Sequence, residues 1–161
     1  MYLNMKRFPI TKEGYRKLQD ELKHLKEVDR PAIISEISKA REFGDLSENA
    51  EYHAAKEKQN FIELRINELE MNLLCADIID ISHVSSKNIQ FGATVTIQDL
   101  DNENIVRYKI VGDYEADLKE HKVSISSPLA RALIGRQQNE EIEFTTPGGI
   151  KAYKIIEVTY A

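Results

Sequence analysis

The sequence predicts an α+β chain: an N-terminal antiparallel two-helix coiled-coil hairpin, then a small antiparallel-sheet domain with one short helix. Three observations carry this. Apolar residues recur at helical spacing up to about Ala76 and alternate at strand spacing after Asp80. A glycine-led turn, Gly44-Asp45-Leu46-Ser47-Glu48, divides the helical part into two long runs. Near the end, Pro147-Gly148-Gly149 separates two segments rich in aromatic and β-branched residues, a hairpin signal.

In the first run, Leu18, Leu22 and Leu25 step by four and three, and Ala32, Ile37 and Ala40 continue roughly on that side. In the second, Ile62, Ile66, Leu69 and Leu73 repeat the spacing. One narrow apolar stripe per helix is what a two-helix coiled coil requires. Thr11 suits the N-cap of the first helix. Pro31 lacks a backbone donor, so it should kink that helix or interrupt it locally. Gly44 suits the left-handed residue just past a helix end, and Asp45 the cap of the next helix. So short a connection forces the arms antiparallel. Arms of about 30 residues make a rod of roughly 45 Å at 1.5 Å per residue.

After Asp80, Ala93, Val95 and Ile97 alternate with polar residues, as do Val106, Tyr108 and Ile110, and Asp101-Asn102-Glu103-Asn104 reads as the turn between them. Ile142–Phe144 and Tyr153–Val158 flank the final turn, and a short helix runs from Pro128 to Ile134, stopping at Gly135. Residues 1–80 are thus expected to form the hairpin, with its acidic tip at 44–48, and residues 81–161 the sheet domain. Ser82 to Asn88 is the expected linker, although Ile78, Ile79 and Ile81 could add an edge strand.

Composition narrows the function. The 161 residues are 42% hydrophobic and 30% charged, with a formal net charge of -5. Residues 1–80 carry 13 basic and 16 acidic side chains, residues 81–161 carry 9 and 11. Neither half has the basic excess that free duplex DNA or RNA binding usually needs, so nucleic-acid contact must be local or depend on a protein partner. The single cysteine, Cys75, excludes an intrachain disulfide and a cysteine-based zinc site, and suits a small buried apolar position. No apolar run reaches signal-peptide or bilayer length, which leads us to expect a soluble cytoplasmic protein without membrane contact. His24, His53, His83 and His121 show no metal-ligand spacing.

Two readings of Asp45 and Glu48 stand at this point. Their spacing is that of a capping box, in which both carboxylates would only satisfy free amides at a helix start. Alternatively, a rod ending in exposed acids, with Glu42 and Glu51 nearby, can deliver carboxylates at a distance. Mg²⁺ typically takes one or two carboxylates together with waters and phosphate oxygens, so such a tip could share an ion with another protein's ligands. A lone hairpin supplies too few ligands to do that chemistry itself.

The run from Ala40 to Lys56, AREFGDLSENAEYHAAK, resembles the tip signature of the bacterial Gre transcript-cleavage factors. Phe91–Val95, Ile110–Asp113, Ser127–Gly135 and Thr146–Gly149 also match that family's pattern, in order, so the resemblance runs through nearly the whole chain. Within the family it is most similar to the GreA type, as the modest charge of the rod also favours. The resemblance implies a monomeric accessory factor, not an enzyme, whose hairpin enters the secondary channel of RNA polymerase. There Asp45 and Glu48 would help hold a Mg²⁺ jointly with the polymerase, which cleaves the backtracked 3′ end of the nascent RNA. Arg41 and Lys56 match a small basic patch facing that RNA, although either can equally be an ordinary solvated helix charge. Ser47 stands where the family varies and is often basic.

The same resemblance implies an FKBP-like C-terminal domain that docks on the channel rim, with Asp113, Glu115, Ser127 and Pro128 in the docking segments. Pro128 equally suits the first turn of a helix. Two other functions compete: a channel-binding regulator that inhibits without inducing cleavage, against which the retention of both acids argues, and a prolyl isomerase, suggested by fold analogy alone.

Overall fold

The computed structural model describes residues 6–45 and 49–160. Its first helical run covers residues 12–41 in three pieces: α1 (Lys12–His24), a π-helical turn (Leu25–Asp29) and α2 (Arg30–Arg41). As expected, Thr11 caps the start, its hydroxyl accepting from the Gly14 amide at 3.0 Å. α3 (Ala50–Cys75) is the returning arm.

Pro31 is accommodated by the π turn. The Arg30 amide donates to the Leu25 carbonyl, a step of five residues where an α-helix takes four. The wider turn falls where a proline would otherwise leave a carbonyl unbonded and crowd the preceding turn. The extra residue also rotates everything that follows by about 100°. Ile33, 1% exposed, therefore enters the seam, and Ala32, expected there, lies exposed. Ile33 and Ile37 pack with Ala55, Ile62 and Ile66, flanked by Leu22, Leu25 and Tyr52. Cys75, expected to be buried, is half-buried.

Ion pairs line the seam and fix the antiparallel register. Arg30 holds Glu63 through two bonds of 2.8 and 2.9 Å, and Arg65 holds Glu21 at 2.7 and 2.9 Å. Lys26 meets Glu70 at 2.5 Å, and Lys58 meets Glu36 at 3.6 Å. The Arg30 guanidinium draws the Glu63 carboxyl below its ordinary pKa. The first arm places two cations between two acids (Glu21, Lys26, Arg30, Glu36), and the second arm answers each with the opposite sign, so a slip of the arms would set some like charges together.

At the turn, Asn49 joins both arms. Its Oδ1 accepts from the Tyr52 amide at 3.0 Å, capping α3, while its Nδ2 donates to the Ala40 carbonyl at 2.6 Å near the end of α2. The expectation that Asp45 caps the second helix is therefore corrected: α3 begins at Ala50, five residues beyond Asp45.

Packing divides the chain into two units, residues 15–75 and residues 6–14 with 76–160. In the second unit, β1 (Phe8–Thr11) pairs in parallel with β2 (Ala76–Ile79), a separate two-stranded sheet rather than an added edge of the larger one. That pairing accounts for residues 76–79 packing with the sheet-bearing unit. Five strands form the larger sheet: β3 (Thr94–Asp99), β4 (Ile105–Val111), β5 (Lys122–Ser124), β6 (Glu141–Thr146) and β7 (Gly149–Thr159), in the order β5-β4-β3-β7-β6. All neighbours are antiparallel except β4 and β5. Its core contains Ile89, Val95, Ile97, Ile110 and Ile155, together with Ala130 and Leu133 of α4 (Pro128–Leu133).

The Glu115 carboxylate binds this unit's N-terminal strand. It accepts from the Thr11 amide at 3.0 Å, the Gly112 amide at 2.8 Å and the Thr11 hydroxyl. A Cβ on Gly14 would stand 2.0 Å from Glu115 Oε1, and one on Gly112 would stand 2.3 Å from the Pro9 carbonyl oxygen. Both positions admit only glycine without rearrangement.

Two outcomes are expected for stability. Ile33→Ala should cost about 2–5 kcal/mol by chemical denaturation, and Ile34→Ala, at a 53% exposed position, within about 0.5 kcal/mol; equal costs would show that the π turn does not set the seam. Asn49→Ala should lower stability by about 1–2 kcal/mol, and Asn49→Asp, which retains the acceptor but not the donor, by less.

Candidate functional site at the hairpin tip

The end of α2 is closed by Glu42 and Phe43, whose amides donate to the Lys39 and Ala40 carbonyls at 3.1 and 3.2 Å. Gly44 follows at φ +105°, the left-handed conformation expected there. Asp45 comes next and is exposed. It lines a hollow of about 460 Å³ with Phe43, Asn49, Ala50 and Glu51. Glu48, together with Leu46 and Ser47, lies outside the described residues.

The capping geometry bears on what the acids are for. Asn49 satisfies the α3 start, so helix capping does not require a carboxylate at position 45. Sequence reasoning missed Asn49 because the Asp45–Glu48 spacing imitates a capping box. The signal was present nonetheless, since Asn49 directly precedes the first residue of the uninterrupted helical run and ranks with Asp as a cap. Among the described residues, no group of three or more His, Cys, Asp or Glu is placed to hold a metal ion.

Arg41 and Lys56 sit on different arms and are not joined by a contact. The Arg41 guanidinium lies 5.8 Å from the centre of the Tyr52 ring, within cation–π range, and Lys56 Nζ donates to Gln59 at 3.0 Å. The ring contact orders Arg41 near the tip. Phe43 was given no role from sequence; it is 76% exposed, and Phe61 on the other arm is exposed to a similar degree.

In the second unit, the structure brings together three of the four docking candidates. Asp113 Oδ1 accepts from the Ser126 hydroxyl at 2.7 Å and from the Ser124 hydroxyl, which ties the loop after β4 to the segment before α4. Those hydroxyls hold the Asp113 carboxyl below the usual carboxylate range. Ser127 caps α4, accepting from the Ala130 amide at 3.2 Å, and Pro128 is its exposed first residue. Glu115 differs, because its carboxylate is engaged by Thr11 and Gly112. Beside it, Tyr114 packs on Phe8 with ring centres 4.8 Å apart.

Comparisons with known proteins cover the same ground. Residues 8–78 match the model of the N-terminal domain of GreA and GreB transcription elongation factors, and residues 84–160 match that of their C-terminal domain. The transcription elongation factor GreA of Hyphomonas neptunium is 57% identical over 156 residues, 97% of this chain and 99% of that protein. That of Rickettsia canadensis is 57% identical over 154 residues, 96% of this chain and 95% of that protein. GreA factor homolog 1 of Thermus thermophilus, a solved structure, aligns at a TM-score of 0.44 with 25% identity over 96% of this chain and 99% of that one. No helix among the described residues is long and apolar enough to cross a membrane. Matched along both halves, and at more than half its positions by GreA proteins of the same length, the chain belongs to the GreA/GreB family of transcription elongation factors.

Proposed function

We propose that this elongation factor inserts its hairpin tip into the secondary channel of bacterial RNA polymerase and stimulates cleavage of the backtracked 3′ end of the nascent RNA, which rescues arrested complexes. The observation that carries the reading is the exposed Asp45 at the end of a hairpin whose helix start is already capped by Asn49. A carboxylate not needed for capping, on a turn tied to both arms, is suited to work outside its own fold.

Asp45 and Glu48 are the residues of this chain that would hold a Mg²⁺, and two carboxylates fit that ion only as a partial shell. The polymerase must supply the remaining ligands, so the isolated protein is expected to have no cleavage activity and no stably bound metal. When bound, such an ion activates water and stabilises the leaving oxygen of a phosphodiester. The contribution of this chain is positional. The bidentate Arg30–Glu63 and Arg65–Glu21 pairs stiffen the hairpin, and Asn49 fixes the turn, so the carboxylates arrive at a defined place. Arg41, ordered on Tyr52, and Lys56 supply local positive charge for the extruded RNA. Asp113, Ser127 and Pro128 present a continuous surface to the channel rim, whereas Glu115 supports that surface by anchoring β1 beneath the loop. A monomer suffices for all of these roles.

In a stalled, backtracked elongation complex with Mg²⁺, the protein should release short 3′ RNA fragments. Asp45→Asn combined with Glu48→Gln should slow release by about a hundredfold or more, the scale for losing a group that stabilises developing charge. Helicity by circular dichroism should be unchanged, because Asn49 remains; a double variant that binds and cleaves normally would defeat the metal role. A wild-type protein that binds the complex and slows elongation without releasing fragments would make it an inhibitor instead. Separately, Asp113→Asn keeps an acceptor for both serines but removes the charge. Its affinity for polymerase should fall about tenfold with little change in melting temperature.

A further inference from the structure

A groove runs along the hairpin just below the tip, and nothing in the proposed metal role uses it. Its volume is about 480 Å³, and it is lined by Glu36, Lys39, Ala40 and Phe43 from one arm and Glu51, Ala54, Ala55 and Lys58 from the other. On each arm the spacing is i, i+3, i+4, i+7, so each set continues along one side of its arm, with Phe43 just past the end of α2. Three alanines supply a floor without bulk. Phe43 supplies an exposed aromatic wall. At the far end, Lys58 is engaged by Glu36 at 3.6 Å. Phe43 and Glu51 also line the hollow that contains Asp45, so the groove opens directly beside the acid at the tip.

We infer that this groove is a nucleotide subsite that holds an unpaired base of single-stranded RNA next to the scissile phosphodiester. The inference rests on the proposed cleavage role and names the ligand of that same site. An alanine-floored slot with one aromatic wall fits a flat ring with apolar faces, and base–aromatic stacking is how proteins grip single strands without reading sequence. The Glu51 carboxylate at the same end accepts hydrogen bonds only, which suits the exocyclic amino group of cytosine or adenine and opposes the O4 acceptor of uracil. Lys39, which also lines the groove, offers a cation for the backbone phosphate. The groove thus prefers an amino-bearing base, and it clamps the RNA within reach of Asp45 rather than contributing to the chemistry.

Backtracked elongation complexes whose extruded RNA ends in C or in U provide the test. Phe43→Ala should slow fragment release about tenfold at both ends while leaving affinity for core polymerase without extruded RNA unchanged. Glu51→Ala should remove a preference for C over U ends that the wild-type protein shows, by roughly fivefold. Unchanged release by Phe43→Ala would overturn the inference while leaving the cleavage role intact. Equal loss of affinity for RNA-free polymerase would overturn it too, by making the occupant a polymerase segment. If the wild-type protein releases no fragments, the cleavage role itself fails, and the groove is read directly. Methyl resonances of Ala40, Ala54 and Ala55 in the full chain should then shift on addition of a short single-stranded oligocytidylate, less so with oligouridylate, and not in Phe43→Ala. Absence of any wild-type shift would dispose of the subsite.

Discussion

A proline inside a helix that must also keep a two-helix seam is the constraint from which the rest of the hairpin follows. Pro31 removes a donor and crowds the turn before it, and the chain answers with one π turn at Leu25–Asp29. Because one added residue rotates a helix by about 100°, the turn selects which face of α2 meets α3. Ile33 and Ile37 then become buried, Arg30 reaches Glu63, and Ala40 arrives opposite the start of α3, where Asn49 takes its carbonyl. The same rotation puts Glu36, Lys39, Ala40 and Phe43 on the groove face. A regular α-helix through residue 31 would have presented Ala32 to the seam and a different set of residues to the groove.

Asn49 converts that register into a usable tip. A turn between two long arms has frayed ends on both sides, with free amides on one and free carbonyls on the other. One amide side chain satisfies both, since its acceptor oxygen and its donor nitrogen are separate atoms that can face opposite arms. An aspartate at 49 would cap α3 but lose the bond to the Ala40 carbonyl, which would keep the Phe43 amide. Capping of α3 thereby makes no demand on the carboxylate at 45. The second unit uses a comparable economy: the Glu115 carboxylate collects two amides and a hydroxyl from β1 and the loop after β4. The glycines at 14 and 112 leave room for that close approach.

Most of the fold was legible in the sequence because periodicity reports burial. The period change near residue 80, the cap at Thr11, the two-residue Pro147-Gly148 turn and the stop at Gly135 all appear where local chemistry placed them. What was hidden depended on residues distant in sequence. The pairing of Phe8–Thr11 with Ala76–Ile79 joins two short apolar runs with no turn between them to announce it. The short strand Lys122–Ser124 runs parallel to β4 and has only one buried position, so it shows no alternation. The face chosen after Pro31 could not be read either, since a helix interruption by proline does not state whether it inserts a residue or a bend. At the site, Asp45 was legible by position on the turn. Asn49 was obscured by a competing cap signal, and Phe43, just past the end of α2, carried no periodic signal of its exposure.

The acidic character of the chain and its proposed contact with RNA are compatible once the contact is confined to a few side chains. With a net charge of -5, no broad field draws nucleic acid to the surface, so on the proposed reading association rests on contact with a protein partner. Positive charge near the tip is sparse and placed: Arg41 on the Tyr52 ring, Lys56 on Gln59, Lys39 lining the groove. Stacking on Phe43 adds affinity that carries no charge and is little weakened by salt, unlike phosphate contacts. Under the proposed metal role the tip could not also be strongly basic, because nearby cations would compete for its carboxylates. An aromatic wall beside an acidic turn resolves that conflict, gripping the RNA through its bases while the negative charge at Asp45 is preserved.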